Sequence, residues 1–148
     1  MIWHCGRFDF DTSTPIIMGI LNMTPDSFSD GGQFADDAAA IERALAMVRE
    51  GASIIDVGGE STRPGSDPVD AETEWERIGG VSAALAEREL CVSVDTRHAE
   101  VAKRALAAGA SVVNDVSGFR DAAMVDVVAK SGCGCVVMCP TGSVPDIF

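Results

Sequence analysis

Apolar positions along the chain fall into two alternating patterns. The run Pro15-Ile16-Ile17-Met18-Gly19-Ile20-Leu21 is continuous, as expected of a strand buried on both faces of a parallel sheet. A polar stretch rich in Gly, Ser, Asp and Pro follows over 22–33. From about Phe34 to Glu50 the apolar spacing becomes helical, with Ile41, Leu45 and Val48 on one face. Asp36 and Asp37 suit the first turn of that helix, and Gly51 ends it. The unit then recurs. Strands are expected at Ser53–Val57, Leu90–Val94, Ser111–Asn114 and Gly134–Met138. Helices are expected at about Ala71–Glu87, His98–Ala108 (with Thr96 as cap) and Asp121–Lys130. Trp75, Ile78, Val81 and Leu85 form the apolar face of the second helix, with Trp75 in the core, and Gly79-Gly80 interrupts it.

Strands alternating with helices predict an α/β fold with a parallel sheet, either doubly wound or a (βα)8 barrel. Gly-Ala-Ser stands at Gly51 and again at Gly109, each time between a helix end and a strand start, so these read as equivalent joints of a repeated unit. Neither GxGxxG nor a P-loop pattern is present, and Gly58-Gly59 alone says little. A TIM barrel takes about 250 residues. The 148 residues here are read as one domain; if the fold is such a barrel, they hold its first five strands and four helices. The strand at 134–138 is then an open edge, and self-association into a homo-oligomer is expected. Trp3 and Phe8 are expected to plug the barrel base.

Composition narrows the function. The chain is 47% hydrophobic and 23% charged, so it can bury a core and is not disordered. No apolar run is long enough for a membrane span. Eleven basic against 23 acidic residues leave a net charge of −12, which argues against nucleic acid or an anionic membrane as partner. A small anion held by a local Arg and a metal ion remains compatible. Five cysteines, an odd number, without a signal peptide point to a reducing, cytoplasmic setting. Cys133, Cys135 and Cys139 lack metal-knuckle spacing and are read as small residues of a buried strand.

Polar residues gather at the carboxyl end of each predicted strand: Asn22; Asp56 with Glu60, Thr62 and Arg63; Asp95; Asn114 with Asp115. In parallel α/β folds that end is where sites are built. Singly, each has a bland reading. Asp56 reads as a carboxylate ordering its loop, and Asp115 as the cap of the next turn. Glu42, Arg43, Arg49, Glu74 and Glu76 read as a solvated helix face. His98 reads as an exposed helix opener, and His4 draws no role. Convergence from four successive strands is what points to a site.

Two long segments sharpen this. Met18-Gly19-Ile20-Leu21-Asn22-Met23-Thr24-Pro25-Asp26-Ser27-Phe28-Ser29-Asp30-Gly31-Gly32 resembles the first signature of the dihydropteroate synthases. Ile55-Asp56-Val57-Gly58-Gly59-Glu60-Ser61-Thr62-Arg63-Pro64-Gly65 resembles the second. Ser93-Val94-Asp95-Thr96 and Val113-Asn114-Asp115-Val116 fit in order, and the resemblance runs from about Pro15 to Met138. It implies a pterin-binding TIM barrel of folate biosynthesis, a sulfonamide-target family. That family joins p-aminobenzoate to a dihydropterin pyrophosphate with Mg2+ and releases pyrophosphate. The resemblance assigns Asp95 and Asn114 to the donor–acceptor edge of the pterin, and Val116 and Met138 to its apolar wall. Arg63 and Thr62 are assigned to the pyrophosphate, Asn22 to Mg2+, and Phe28 and Pro64 to p-aminobenzoate. Asp95 and Arg63 are the expected catalytic pair.

Departures go with it. Where the family has Met-His-Met, this chain has Met138-Cys139-Pro140. The family's later motifs, an acidic pterin contact, a Lys and an Arg-x-His, are expected beyond residue 148. Two alternatives follow: a truncated or diverged fragment that binds pterin without catalysis, or a pterin-dependent methyltransferase domain. Against the methyltransferase, such a domain has no pyrophosphate for Arg63 to hold.

Overall fold

The computed structural model describes residues 1–25, 32–61 and 65–138. An antiparallel hairpin comes first: β1 (Ile2–Cys5) and β2 (Phe8–Asp11), joined by Gly6-Arg7. Gly6 takes φ +59°, the left-handed region that a two-residue hairpin connection demands. Five parallel strands follow, β3 (Met18–Asn22), β4 (Ile54–Gly58), β5 (Cys91–Asp95), β6 (Val112–Asp115) and β7 (Gly134–Val137), adjacent in chain order. Helices α1 (Gln33–Arg49), α2 (Ala71–Glu87), α3 (Ala99–Ala107) and α4 (Ala122–Ser131) connect them. This is the expected run of five βα-type strands with four helices. The hairpin goes beyond the expectation, because Ile2–Asp11 is too short and too polar to show a pattern.

The period of two within each strand divides two cores. Leu21, Ile55, Val57, Val92, Val94 and Val113 face the helices and pack on Ala40, Ala44, Met47, Ile78, Leu85, Val101, Ala105 and Met124. The many alanines let helices sit close to the sheet. Among the described side chains of α1 the deepest are Ala40, Ala44 and Met47 rather than Ile41, Leu45 and Val48. The opposite face is the barrel interior. At its amino end Ile54, Cys91 and Val112 pack with Cys5 under Trp3, Phe8 and Phe10, so the hairpin plugs the base as expected. Gly6 N–H donates to Gly132 O at 3.1 Å and ties the plug to the α4–β7 turn.

Every helix-to-strand joint uses a left-handed residue: Gly51 (φ +115°), Glu89 (+60°), Gly109 (+106°) and Gly132 (+68°). The N–H after each of the first three donates five residues back, Ala52 to Met47 O, Leu90 to Leu85 O and Ala110 to Ala105 O. The Gly-Ala-Ser repeats are thus equivalent joints, as expected. Gly79 and Gly80 are also explained. A Cβ on Gly79 would stand 2.8 Å from the Trp75 ring, and one on Gly80 would stand 2.8 Å from Asp37 Oδ2 on α1.

Four local readings need correction. Glu74 is buried, 1% exposed, and accepts a 2.7 Å bond from the Thr96 hydroxyl instead of facing solvent. Thr96 caps no helix: its hydroxyl accepts His98 N–H ahead of α3, whose N-cap position is His98. His98 is half-buried, with Nε2 2.8 Å from Val69 O. Cys135 is exposed on the edge strand β7, and Cys139 lies outside the described residues. No described helix is long and apolar enough to cross a membrane.

Candidate active site

One register row runs across all five strands at their carboxyl ends: Asn22, Gly58, Asp95, Asn114, Val136. Alternation turns these side chains into the barrel interior, one level above Ile20, Asp56, Ser93 and Val112. Glycine at 58 makes the row usable. A Cβ there would meet Asp95 Cβ and Oδ2 at 3.3 Å, so the missing side chain is the space Asp95 occupies.

Asn114 is 8% exposed and its Nδ2 donates to Asp56 Oδ2 at 3.0 Å. The bond passes over β5 and joins alternate strands, the layering that the stagger of a TIM barrel produces. Asp56 is therefore not a loop-ordering carboxylate: it is 3% exposed and engaged inside the barrel. Asp56 Oδ1 and Asn114 Oδ1 are buried and have no partner among the described residues, so the layer holds unsatisfied acceptors.

Negative charge is concentrated here. Burial is the main cause that lifts Asp95 to about 7, and the charges of Asp56, Glu74, Asp115 and Glu60 add to it. Burial also pushes Asp56 above the ordinary carboxylate range, against the pull of the Asn114 amide that donates to it. Asp115 points to the other face, where its carboxylate accepts Ser117 and Phe119 N–H at 2.8 and 3.0 Å, the turn-capping role expected.

The segment after β4 is pinned at both ends. Glu60 takes Nε and Nη2 of Arg97 at 3.1 Å each, and Val69 N–H at 3.1 Å. Arg77 Nη1 donates to Gly59 O at 2.8 Å. Burial alone would raise Glu60, but Arg97 and the Val69 amide outweigh it and hold the carboxyl below its usual range. The sequence does not reveal the roles of Arg97 and Gly58, since neither residue type at such a place signals a clamp or a clearance.

Of the expected site residues, the structure brings Asp95 and Asn114 side by side and places Asn22 two strands from Asp95 in the same row, exposed on the edge strand β3. Val116 is half-buried just past β6, and Met138 is 47% exposed just past β7. Phe28, Thr62, Arg63 and Pro64 lie outside the described residues. Among the described residues no group of three or more His, Cys, Asp or Glu side chains could hold a metal. Asn22 offers one neutral carbonyl, a donor set suited only to a hard ion that keeps its waters and draws its other ligands from a substrate.

The profile of the family described as pterin binding enzyme matches residues 18–146. Dihydropteroate synthase of Mycobacterium leprae is 51% identical over 123 residues, covering 82% of this chain and 43% of that protein. The solved Xanthomonas albilineans dihydropteroate synthase with 4-aminobenzoic acid superposes with a TM-score of 0.88 at 41% identity, covering 95% of this chain and 52% of that one. The Burkholderia cenocepacia enzyme complexed with 7,8-dihydropteroate gives 0.83 at 37%, covering 99% and 49%. The chain spans about half the length of these relatives. With this profile match over most of its length, and an acid–amide row at the carboxyl ends of its barrel strands, the chain belongs to the pterin-binding enzyme family.

Proposed function

We propose that the chain supplies the pterin-binding half of a dihydropteroate synthase, which condenses a dihydropterin pyrophosphate with p-aminobenzoate and releases pyrophosphate. The observation that carries the reading is the buried Asp56–Asn114–Asp95 layer, with free acceptors and a glycine-cleared wall. A flat ring with several N–H donors on one edge satisfies that layer better than water does. Asp95 and Asn114 bind and orient the ring; Val116 and Met138 flank it. Cleavage of the methylene–oxygen bond builds positive charge next to the ring, and the Asp95 carboxylate stabilises it. Arg63 and Thr62 take the leaving pyrophosphate, with Phe28 and Pro64 beside the arylamine that attacks the methylene carbon. Asn22 would hold Mg2+, which when bound neutralises the leaving phosphates. The acidic charge, and the free cysteines among the described residues, fit a cytoplasmic protein whose partners are small molecules rather than nucleic acid.

The test is dihydropteroate formation from the two substrates with and without Mg2+, with Arg63→Ala as control. Mg2+-dependent turnover lost in the control is expected. A second reading, pterin binding without catalysis, is favoured by Cys139 standing where the family has His. Pterin binding with no turnover would establish it in place of the first.

A further inference from the structure

Among the described residues the Asp56 side chain is hydrogen-bonded to Asn114, and this contact bears on what the site can recognise. We propose that Asp56 is a positioning residue: it fixes the Asn114 carboxamide so that Oδ1, an acceptor, is the atom offered to the ligand. The inference rests on the pterin-site reading above.

A carboxamide turned by half a revolution keeps its shape and exchanges donor for acceptor, so only its partners set its orientation. Asp56 is such a partner. Its Oδ2 lies 3.0 Å from Asn114 Nδ2, and both residues are buried. A carboxylate accepts only, so the amide must turn its NH2 toward β4 and its oxygen away from it. That oxygen has no partner among the described residues. Ser93, in register with Asp56 on the strand between, is small and leaves the diagonal open. The consequence is specificity: a ring bearing N–H at this place gains a bond, and a ring bearing a lone pair there meets an oxygen it cannot pair with. Ligand choice at position 114 is thus written one layer down, at position 56.

The full chain is tested as wild type, as Asp56→Ala, as Asn114→Asp, and as the exchange that combines Asp56→Asn with Asn114→Asp. Binding of the dihydropterin pyrophosphate is measured by calorimetry. The side-chain amide protons of Asn114 are followed by 15N NMR without ligand. In the wild type one Asn114 amide proton is expected downfield and slow to exchange, and Asp56→Ala abolishes this. Each single change weakens binding about tenfold or more, the effect of one lost oriented hydrogen bond. The exchange restores binding to within about threefold, because the carboxamide now at position 56 donates and the carboxylate now at position 114 still offers an acceptor. The amide signature moves to position 56. A role through the charge of Asp56 itself, or through packing alone, would not be rescued by the exchange. A folded exchange variant as weak as the single changes, or Asp56→Ala binding as wild type does, overturns the proposal alone. No binding by the wild-type chain overturns the pterin-site reading and this proposal together.

Discussion

Replacing Asp95 by Asn should stabilise the protein at neutral pH while removing its ligand binding. The folded chain holds the Asp95 carboxyl at about 7, first through burial and then through the neighbouring charge of Asp56. In the unfolded chain the same group titrates near its ordinary 3.8. Between those values the unfolded state binds fewer protons than the folded one, so stability falls as pH rises and levels off above 7. At about 1.4 kcal/mol per tenfold, the gap is worth at most ~4 kcal/mol, and solvent at a partly exposed carboxyl brings the expectation to about 2–3. The carboxamide of the variant fills the space that Gly58 clears, without the charge. Urea denaturation of wild type and Asp95→Asn from pH 4 to 8 reads this out. The two curves should nearly coincide at pH 4, diverge through pH 5–7, and run parallel above, with the variant more stable. A difference that stays flat with pH, or a variant less stable at pH 8 than at pH 4 relative to wild type, would refute the account of the site as a charge-loaded layer.

Ligand donors favour the ionised form of Asp95, so binding near pH 6 should release a proton, seen as a calorimetric enthalpy that varies with buffer ionisation heat. Gly58→Ala puts a Cβ 3.3 Å from Asp95 Oδ2 and should cost ligand affinity more than stability, checked by comparing calorimetry with the urea midpoint. Thr96→Val leaves the buried Glu74 without its hydroxyl donor and should cost about 1–3 kcal/mol by denaturation. Arg97→Ala removes the two bonds to Glu60 and the contact to Val69 O, so amide hydrogen exchange should rise at Val69 with little change in the β3–β7 sheet.

The strands and helices are legible because buried parallel strands are continuous apolar runs and helices carry a 3.6-residue stripe. Three strands lie one residue further toward the carboxyl end than expected: Ser53–Val57 is Ile54–Gly58, Leu90–Val94 is Cys91–Asp95, and Ser111–Asn114 is Val112–Asp115. The shift has a cause. The last residues of β3, β4, β5 and β6 (Asn22, Gly58, Asp95 and Asp115) are polar or glycine and carry no hydrophobic signal, yet they still belong to the sheet. The burial of Glu74 is hidden because helical position alone cannot reveal that Thr96, 22 residues later, supplies a partner for a buried carboxylate. The place of Asp56 is hidden for the same reason. Its partner Asn114 is 58 residues away, and only strand order and stagger bring them together.

The interior row also explains why this fold tolerates charge where a barrel would ordinarily be filled with aliphatic side chains. Buried aliphatic packing in the interior is centred at the amino end, where Ile54, Cys91 and Val112 sit under the hairpin plug. Two residues further along the same strands, the interior positions become Asp56, Ser93 and Asn114, and on the middle strand the next is Asp95. The helix-facing side of those strands stays apolar throughout, through Val57, Val94 and Val113. Stability therefore rests on the outer layer and the plugged base, which leaves the carboxyl end free to carry acids whose raised pKa opposes folding near neutrality. A layer that costs stability in the free protein is the arrangement that the proposed site requires, since donors on a bound ligand would return that stability.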